Sequence, residues 1–587
     1  MCQIHRDAAA RRATPTKPNE LLGLCPICYN NSLQHPYATS LTLYYEVSLD
    51  ATSIPWIIHP TIGDEMISTK VLAIGLAIVV VAGGAATALV LVANNNDKSN
   101  DGDNSDKEAI KPAKLTLASE TLAPKLEVYG NVNEDMVIDQ ADIDALQAAI
   151  DAGTTGSLSK YADANYDGVI DSNDIAKINQ IINATAESPV PVKHLCRFSS
   201  GDYYRISNVP VNAFVMSGSA NMFMMMKYLG INSEIKGITY SGKIDATLYS
   251  EYQTLFSDSS TKYSWDGGDN AGKSLTYRVG GSAGYFNTEL VLNHVTGADK
   301  VKAIFTCDNA STYLIGDTKS TATTKYTGCM TETTADDNGL GVFRFKAAST
   351  DMNEYISDLA LIAFVTGKDT AKLSEMKTWC ENFTKDLNQK LRDNVGVNTN
   401  QVRVGVTSSV SYSVKDDVVS TYNYISSGTS DYTAAAISAG GYFAFEDYDF
   451  GSSSSSKKFT DLGEWTAPYN VEKIIHIKTA ATSGTTFSWY GGTAKTDGKE
   501  TLQIGPKAFS LSSPYYNNEF YVVCGDMPII LRIAYCAHIL YPEIFSESWA
   551  KEYNVSHSVQ FLGMTEETIN NGQFYVSMSD LGLNGKA

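Results

Sequence analysis

Residues 212–238 read N-A-F-V-M-S-G-S-A-N-M-F-M-M-M-K-Y-L-G-I-N-S-E-I-K-G-I. The apolar run 211–216, bounded by Ser217-Gly218-Ser219, has the length and punctuation of a buried strand. Residues 220–229 follow as a helix that stops at Gly230, a residue suited to the left-handed turn after a helix end. Residues 235–238 return as a strand. Strand, helix and strand in this order predict a parallel sheet with a ligand crevice at its strand ends. Similar strands recur at 301–305, 341–345, 402–406 and 473–477, and the longest helical tract, 351–394, breaks at 367–369. The pattern predicts two βα lobes joined by a long helical stretch.

Upstream, residues 163–174 read D-A-N-Y-D-G-V-I-D-S-N-D. Asp163, Asn165, Asp167, Asp171 and Asp174 occupy positions 1, 3, 5, 9 and 12 of a calcium-type loop. The Val169 carbonyl is at position 7 and Gly168 at the sharp turn. Residues 131–142 repeat the frame with Asn131, Asn133, Asp135, the Val137 carbonyl, Asp139 and Asp142. Met136 replaces the turn glycine and two donors are neutral, so this loop is expected to bind the more weakly of two structural Ca²⁺ sites. Each loop runs into an apolar helix face, at Ile143, Leu146, Ala149 and Ile150 and then at Ile175, Ile178, Ile181 and Ile182.

Residues 71–93 form an apolar run of membrane-spanning length, preceded by Lys70 and followed by a polar, acidic stretch. The reading is a single-pass anchor over 66–93 with everything beyond it outside the cell. A cleaved signal ending at L-V-A (91–93) is the other reading. Residues 1–65, with a lone Cys25-Pro26-Ile27-Cys28, are expected to be disordered or wrongly assigned, translation starting at Met66. Residues 94–125 read as a polar linker, 126–185 as the duplicated-loop domain, 186–194 as a second linker and 195–587 as the large domain. A net charge of −20 argues against nucleic acid as a partner. Six cysteines beyond the anchor are too scattered for a disulfide scaffold, leaving one or two bridges or buried thiols open.

Two loop-then-helix units with Asp at position 12 and no leading helix resemble the type I dockerin module. The resemblance implies docking to a cohesin-bearing protein through Gln140, Ala141, Ser172 and Asn173. The large domain resembles the helical-backbone solute-binding proteins of ABC importers for iron-siderophores, haem and cobalamin. It does so through 212–238, N-T-E (287–289), I-S-A-G-G-Y-F-A (437–444, with Phe443 where Asn is usual) and the segment 531–545 ending H-I-L-Y-P-E-I-F. The implied fold is α/β, a two-lobed solute-binding fold with a linking long helix, preceded by a transmembrane helix and a small all-α duplicated calcium-loop domain. The implied partners are a small-molecule chelate and a permease that Glu289 and Glu464 would dock.

In such a fold the ligand lies between the lobes on loops that follow the strands. The candidates there are Ser217, Ser219, Asn221, Tyr285, Phe286, Arg344, Tyr442, Phe443, Trp489 and Tyr490, with Arg344 facing carboxylate or catecholate oxygens. Met222 and Met224 to Met226 read as core filler, and His294 and His476 as core histidines. There is no G-x-S-x-G, H-E-x-x-H or P-loop, and Glu446-Asp447 and Asp416-Asp417 sit in polar loops. The chain reads as a binding protein and not an enzyme. The alternative is a cell-surface structural, adhesion or polysaccharide-associated dockerin protein without transport.

Overall fold

The computed structural model describes residues 115–197, 201–239, 277–280, 285–293, 300–307, 328–347, 349–398, 401–415, 418–428, 430–451, 456–459, 468–478, 493–496, 499–502, 519–525, 527–572 and 574–577. All lie within one compact unit, Asp106–Ala587. The anchor run, the extension before it and the first part of the polar linker fall outside them. Among the described residues no helix is long and apolar enough to cross a membrane.

Both repeats fold as loop and helix. α1 (Gln140–Ala152) starts at Asp139, whose carboxylate accepts from the Ala141 amide while Asp142 reaches back to the Asp139 amide. α2 (Ser172–Ile182) repeats the exchange with Asp171 and Asp174. These reciprocal bonds satisfy N–H groups that a helix start leaves open. Val132, Leu146, Ala162, Ala164 and Ile178 fill the space between the two units.

The expected linker at 186–194 is corrected by the structure. Its second half belongs to β1 (Val190–Cys196), which pairs antiparallel with β2 (Tyr203–Val209). Alternation in V-P-V-K-H-L-C turns Val192 and His194 inward, and a strand with a buried face cannot serve as a loose tether. The repeat domain is bonded to this hairpin: Val128 bridges His194, the Leu195 amide donates to Glu127 O, and the Tyr161 and Tyr204 hydroxyls meet at 2.9 Å. Glu127 pairs with Arg197, and Leu126, Val128 and Ile181 enter the main core.

The end of the polar linker is also corrected. Residues 115–125 lie as a strap on the helices that join the lobes, because Leu115, Leu117 and Leu122 are apolar and find cover there.

The first lobe holds β3 (Phe214–Met216), α3 (Ala220–Tyr228), β4 (Ile235–Ile238), β5 (Tyr277–Arg278), α4 (Thr288–Leu292), β6 (Ala303–Cys307), α5 (Glu332–Asp337) and β7 (Gly341–Phe345). Strand order is β5-β4-β3-β6-β7 and every neighbouring pair is parallel, as the 212–238 pattern predicts. Order reverses between β3 and β6, which makes their carboxyl ends the switch point of the sheet.

α6 (Met352–Thr366) and α7 (Ala371–Asn398) connect the lobes, separated by the expected break at Gly367, where φ is +64°. At about 1.5 Å per residue the 28 residues of α7 span about 42 Å. Its buried stripe is Leu373, Met376, Cys380, Phe383, Leu387, Leu391 and Val395, one helix face at steps of three and four.

The second lobe contains β8 (Arg403–Lys415), β9 (Val418–Ser426), α8 (Asp431–Ser438), β10 (Tyr442–Phe443), β11 (Ser456–Phe459), β12 (Lys473–Lys478), β13 (Thr493–Thr496), β14 (Lys499–Leu502), β15 (Phe520–Cys524), α9 (Ile529–Leu540), α10 (Glu547–Leu562), α11 (Glu566–Asn571) and β16 (Tyr575–Ser577). Its sheet runs β11-β9-β8-β12-β15-β16, with β10 beside β8, while β13 and β14 form a separate hairpin. β10, β8, β12 and β15 are parallel, and β9, β11 and β16 oppose their neighbours. Gly440 seats this lobe on α7: its φ is +89°, and a Cβ there would come within 2.6 Å of Leu391.

Met222 and Met224 to Met226 are core residues, as is His476, whose Nδ1 lies 3.0 Å from Thr407 O; His294 is outside the described residues. The six cysteines beyond the anchor are free thiols, five of them buried.

Leu126→Ala opens a cavity where the repeat domain meets the main core and should cost about 2–5 kcal/mol. Calorimetry should show the principal unfolding transition of the large domain moving down. An unchanged principal transition would mean that the repeat domain is an independent plug.

Candidate functional site

Helix starts that follow strand ends meet between the lobes. Asn221, in the first turn of α3, accepts a 2.9 Å hydrogen bond from Nη2 of Arg532, in the first turn of α9. Arg532 is buried, donates from Nε to Met527 O and lies 3.4 Å from Asp431, the first residue of α8. Burial raises the Asp431 carboxyl above the usual carboxylate range, and the Arg532 charge opposes that shift. Because α3 follows β3 and α9 follows β15, the bond brings the carboxyl ends of the two sheets face to face.

The switch point of the first lobe is closed by its own side chains. Ser217 Oγ donates to Thr306 Oγ1 at 3.1 Å and accepts from the Cys307 amide. Ser219 caps α3 through the Met222 amide, and its Oγ lies 3.3 Å from Cys307 Sγ.

A cavity of about 650 Å³ opens in the second lobe. One edge is Ser427 and Gly428, in the loop leading to Asp431, and Thr116 of the strap also lines it. Its walls are aromatic because F-A-F-E-D-Y-D-F (443–450) turns one ring after another inward. Tyr448 and Phe450 meet edge to face at 4.9 Å, Phe443 stacks on Phe450 at 6.2 Å, and Phe445 packs on Tyr469 at 4.5 Å. Glu446 and Asp449 stand exposed at the rim. The volume is within the range of small-molecule sites, about 300–1,000 Å³.

Of the residues marked from sequence, Tyr442 and Phe443 line this cavity, Asn221 holds the seam, and Ser217 and Ser219 hold the switch point. Arg344 is corrected: it is fully buried and donates to Glu332, which also accepts from Tyr203 and Arg205. Its guanidinium is held by that carboxylate inside the first lobe. Phe286 is corrected likewise, packed in the first-lobe core with Val279 and Val291. Tyr285 is half-buried and Glu289 is exposed on α4. Trp489, Tyr490 and Glu464 lie outside the described residues. Phe445, Tyr448, Phe450, Asp431 and Arg532 were not marked, although the regular spacing of rings in 443–450 was a legible signal.

The loop at 163–174 wraps as a cation loop does. Asp163 accepts from the Asp167 and Gly168 amides, Asp167 from Val169, and Asp174 from Asn165 and Asp171. Gly168 takes φ +88°, and position 4 of both loops is left-handed, at Glu134 and Tyr166. Burial is the largest cause raising both Asp142 and Asp174 above the usual carboxylate range. The first loop differs: buried Asn131 donates its side-chain amide to Leu126 O and Asp135 O, which leaves its Oδ1, the atom that would face a cation, buried without a hydrogen-bond partner. Among the described residues no three His, Cys, Asp or Glu side chains are gathered as a metal site requires. The second loop has the donors and the wrap of a calcium loop, and the first turns an unpartnered oxygen inward at its first position.

No family model matches the chain, and no curated protein matches it. Among solved structures, FepB, a TroA-like periplasmic binding protein from Veillonella parvula, aligns over 65% of this chain and 99% of its own, at 14% identity and TM-score 0.40. CeuE of Helicobacter pylori with Ni(II) bound aligns over 64% and 98%, at 14% identity and TM-score 0.37. The molybdate-bound periplasmic protein MolA of Haemophilus influenzae aligns over 62% and 96%, at 14% identity and TM-score 0.38. TM-scores of this size establish neither fold nor kinship; the two lobes rest on their own strand pairings.

Arg344→Met removes one of the two arginines paired with Glu332, Arg205 remaining, and should cost about 1–3 kcal/mol of stability. Urea denaturation should show that loss, while the affinity of any solute held by the aromatic cavity stays unchanged. Loss of affinity without loss of stability would return Arg344 to the binding site.

Proposed function

We propose that the chain is an extracellular solute-binding protein of an ABC importer. The observation that supports this best is the seam. Two α/β lobes, joined by α7, turn their strand ends toward one another at Asn221 and Arg532, and the second lobe carries a small-molecule cavity with aromatic walls. Solute binding needs such a concave site and rigid elements to frame it, and no reacting group. The iron chelate, haem and cobalamin classes are the first solutes to test. Glu289, exposed on the first lobe, and Glu464 are the proposed permease contacts, and residues 66–93 the proposed anchor.

The test is a thermal-shift and calorimetric screen of the full chain with ferric siderophores, haem, cobalamin and oligosaccharides. Binding of a chelate or macrocycle that Tyr448→Ala abolishes is expected. Oligosaccharide binding alone would favour the polysaccharide-associated alternative.

The duplicated loops carry a second proposal, calcium-dependent docking to a cohesin. Gln140, Ala141, Ser172 and Asn173 are all exposed, at the starts of α1 and α2, which suits an interface. Calcium is proposed at the second loop, with a weaker site at the first, and metal binding there would add to folding stability. Titrating calcium against a chelator should raise protease resistance across 126–185 and, through Leu126 and Ile181, the melting temperature of the lobes. An unchanged melting curve would remove calcium from the account.

A further inference from the structure

The two loops of the repeat domain meet the rest of the molecule differently, and the difference begins where the first breaks the calcium pattern. Met136 stands where the second loop has Gly168, and with Ile138 it packs, half-buried, against the main core of the lobes. Among the described residues none of 163–174 does so. The second loop leans on the repeat core through Ala164 and Ile170, and on the hairpin through the Tyr166 hydroxyl, 2.9 Å from Pro191 O. Ile181 reaches the main core only from the last turn of α2.

Polar bonds tie the first loop to the strap as well. The Leu126 amide donates to Asp135 O, and Lys125 Nζ pairs with Glu134 at 2.7 Å. The Lys125 and Ala123 amides are held in turn by Ser357 and Asn353 of α6. Asn131 stands at the centre of this junction. Its Nδ2 bonds Leu126 O at 2.6 Å and Asp135 O at 2.7 Å, while its Oδ1, at ligand position 1, is buried without a hydrogen-bond partner. A buried oxygen left unpaired is costly, and a side-chain carbonyl is a proper ligand for a hard cation.

We infer that the first loop is a cation-sensitive joint between the repeat domain and the lobes. A calcium ion taken by Asn131 Oδ1 fixes the side chain whose other end holds Leu126 O, and so steadies the strap and the place of Leu126 in the main core. The weaker of the two sites is the one that the lobes feel; the second site holds together the repeat core alone. The inference rests on the proposal that the loops take calcium, and names which of them acts beyond its own domain. An ion bound only by the folded form stabilises whatever must stay folded to hold it, and at the first loop that includes the strap.

Asp135 and Asp167 are matched probes. Both are exposed at loop position 5, and each accepts from the amide two residues on and from the asparagine side chain two residues before. Asparagine at either place is therefore expected to fold. With the full chain and calcium chloride titrated against a chelator, calorimetry should show calcium raising the principal melting transition in the unaltered chain and in Asp167→Asn. Asp135→Asn should lose that rise and still bind one calcium, at the second loop. Hydrogen exchange of the Lys125 and Leu126 amides should slow with calcium in the unaltered chain and not in Asp135→Asn. Asn131→Asp, which loses both donated bonds and gains a charge at position 1, should melt lower without calcium and show the larger rise with it. Equal loss of the rise in both asparagine variants, its loss in Asp167→Asn alone, or a lower melting of Asn131→Asp with no larger rise would overturn the inference. If calcium binds the unaltered chain and leaves the principal transition in place, the coupling falls and calcium binding stands. If no calcium binds, both fall.

Discussion

Everything in this molecule leans on one apolar stripe. Leu373, Met376, Cys380, Phe383, Leu387, Leu391 and Val395 run the length of α7 and are all buried. Trp549, Tyr553 and Phe561 of α10 pack their rings against Phe383 and Trp379, Gly440 of the second lobe approaches Leu391, and the strap lies alongside. A rigid helix about 42 Å long therefore fixes the separation of two sheets that share no strand. At the seam the Asn221 to Arg532 bond crosses between helix starts, and nearby Tyr228 of α3 packs its ring against Phe561 of α10.

The alternation of strand and helix was legible because it is written in local periodicity. Residues 211–238, the break at 367–369 and the Gly440-Gly441 pair each announce a backbone event within a few positions. The role of Arg344 was not legible, because its partners come from elsewhere. Glu332 is twelve residues away in a segment that reads as polar, and Tyr203, which bonds the same carboxylate, is 129 positions from it. A buried charge and a ligand-facing charge look the same in sequence, and burial alone separates them. The aromatic cavity was half legible. Tyr442 and Phe443 were marked, but the rings after them were hidden among 34 tyrosines and 20 phenylalanines.

The repeat domain shows how composition can mislead about independence. Polar residues around 94–125 and a Pro-Val-Pro stretch read as flexible connections, yet the apolar minority in each decides its fate. Leu122 and Leu126 on one side, Val192 and Leu195 on the other, are too apolar to leave in water, and each finds a buried seat. Joined in this way, the repeat domain and the first lobe share one continuous core through Leu126, Val128 and Ile181. A module whose sequence suggests a detachable plug is built as part of the wall.

The strap sets an order of assembly. Ala118 receives its bond from Asn388, 270 residues later, and the Leu122 amide finds Glu381 after 259. Contacts so distant along the chain close late, because the loop between their ends must first be ordered. During synthesis Leu115, Leu117 and Leu122 emerge long before the helix that shelters them exists. The repeat domain can form its own small core at once, while its seat is still being made. Until α7 arrives, this protein carries an uncovered hydrophobic leader, and the interval before docking is when the growing chain is most open to wrong partners.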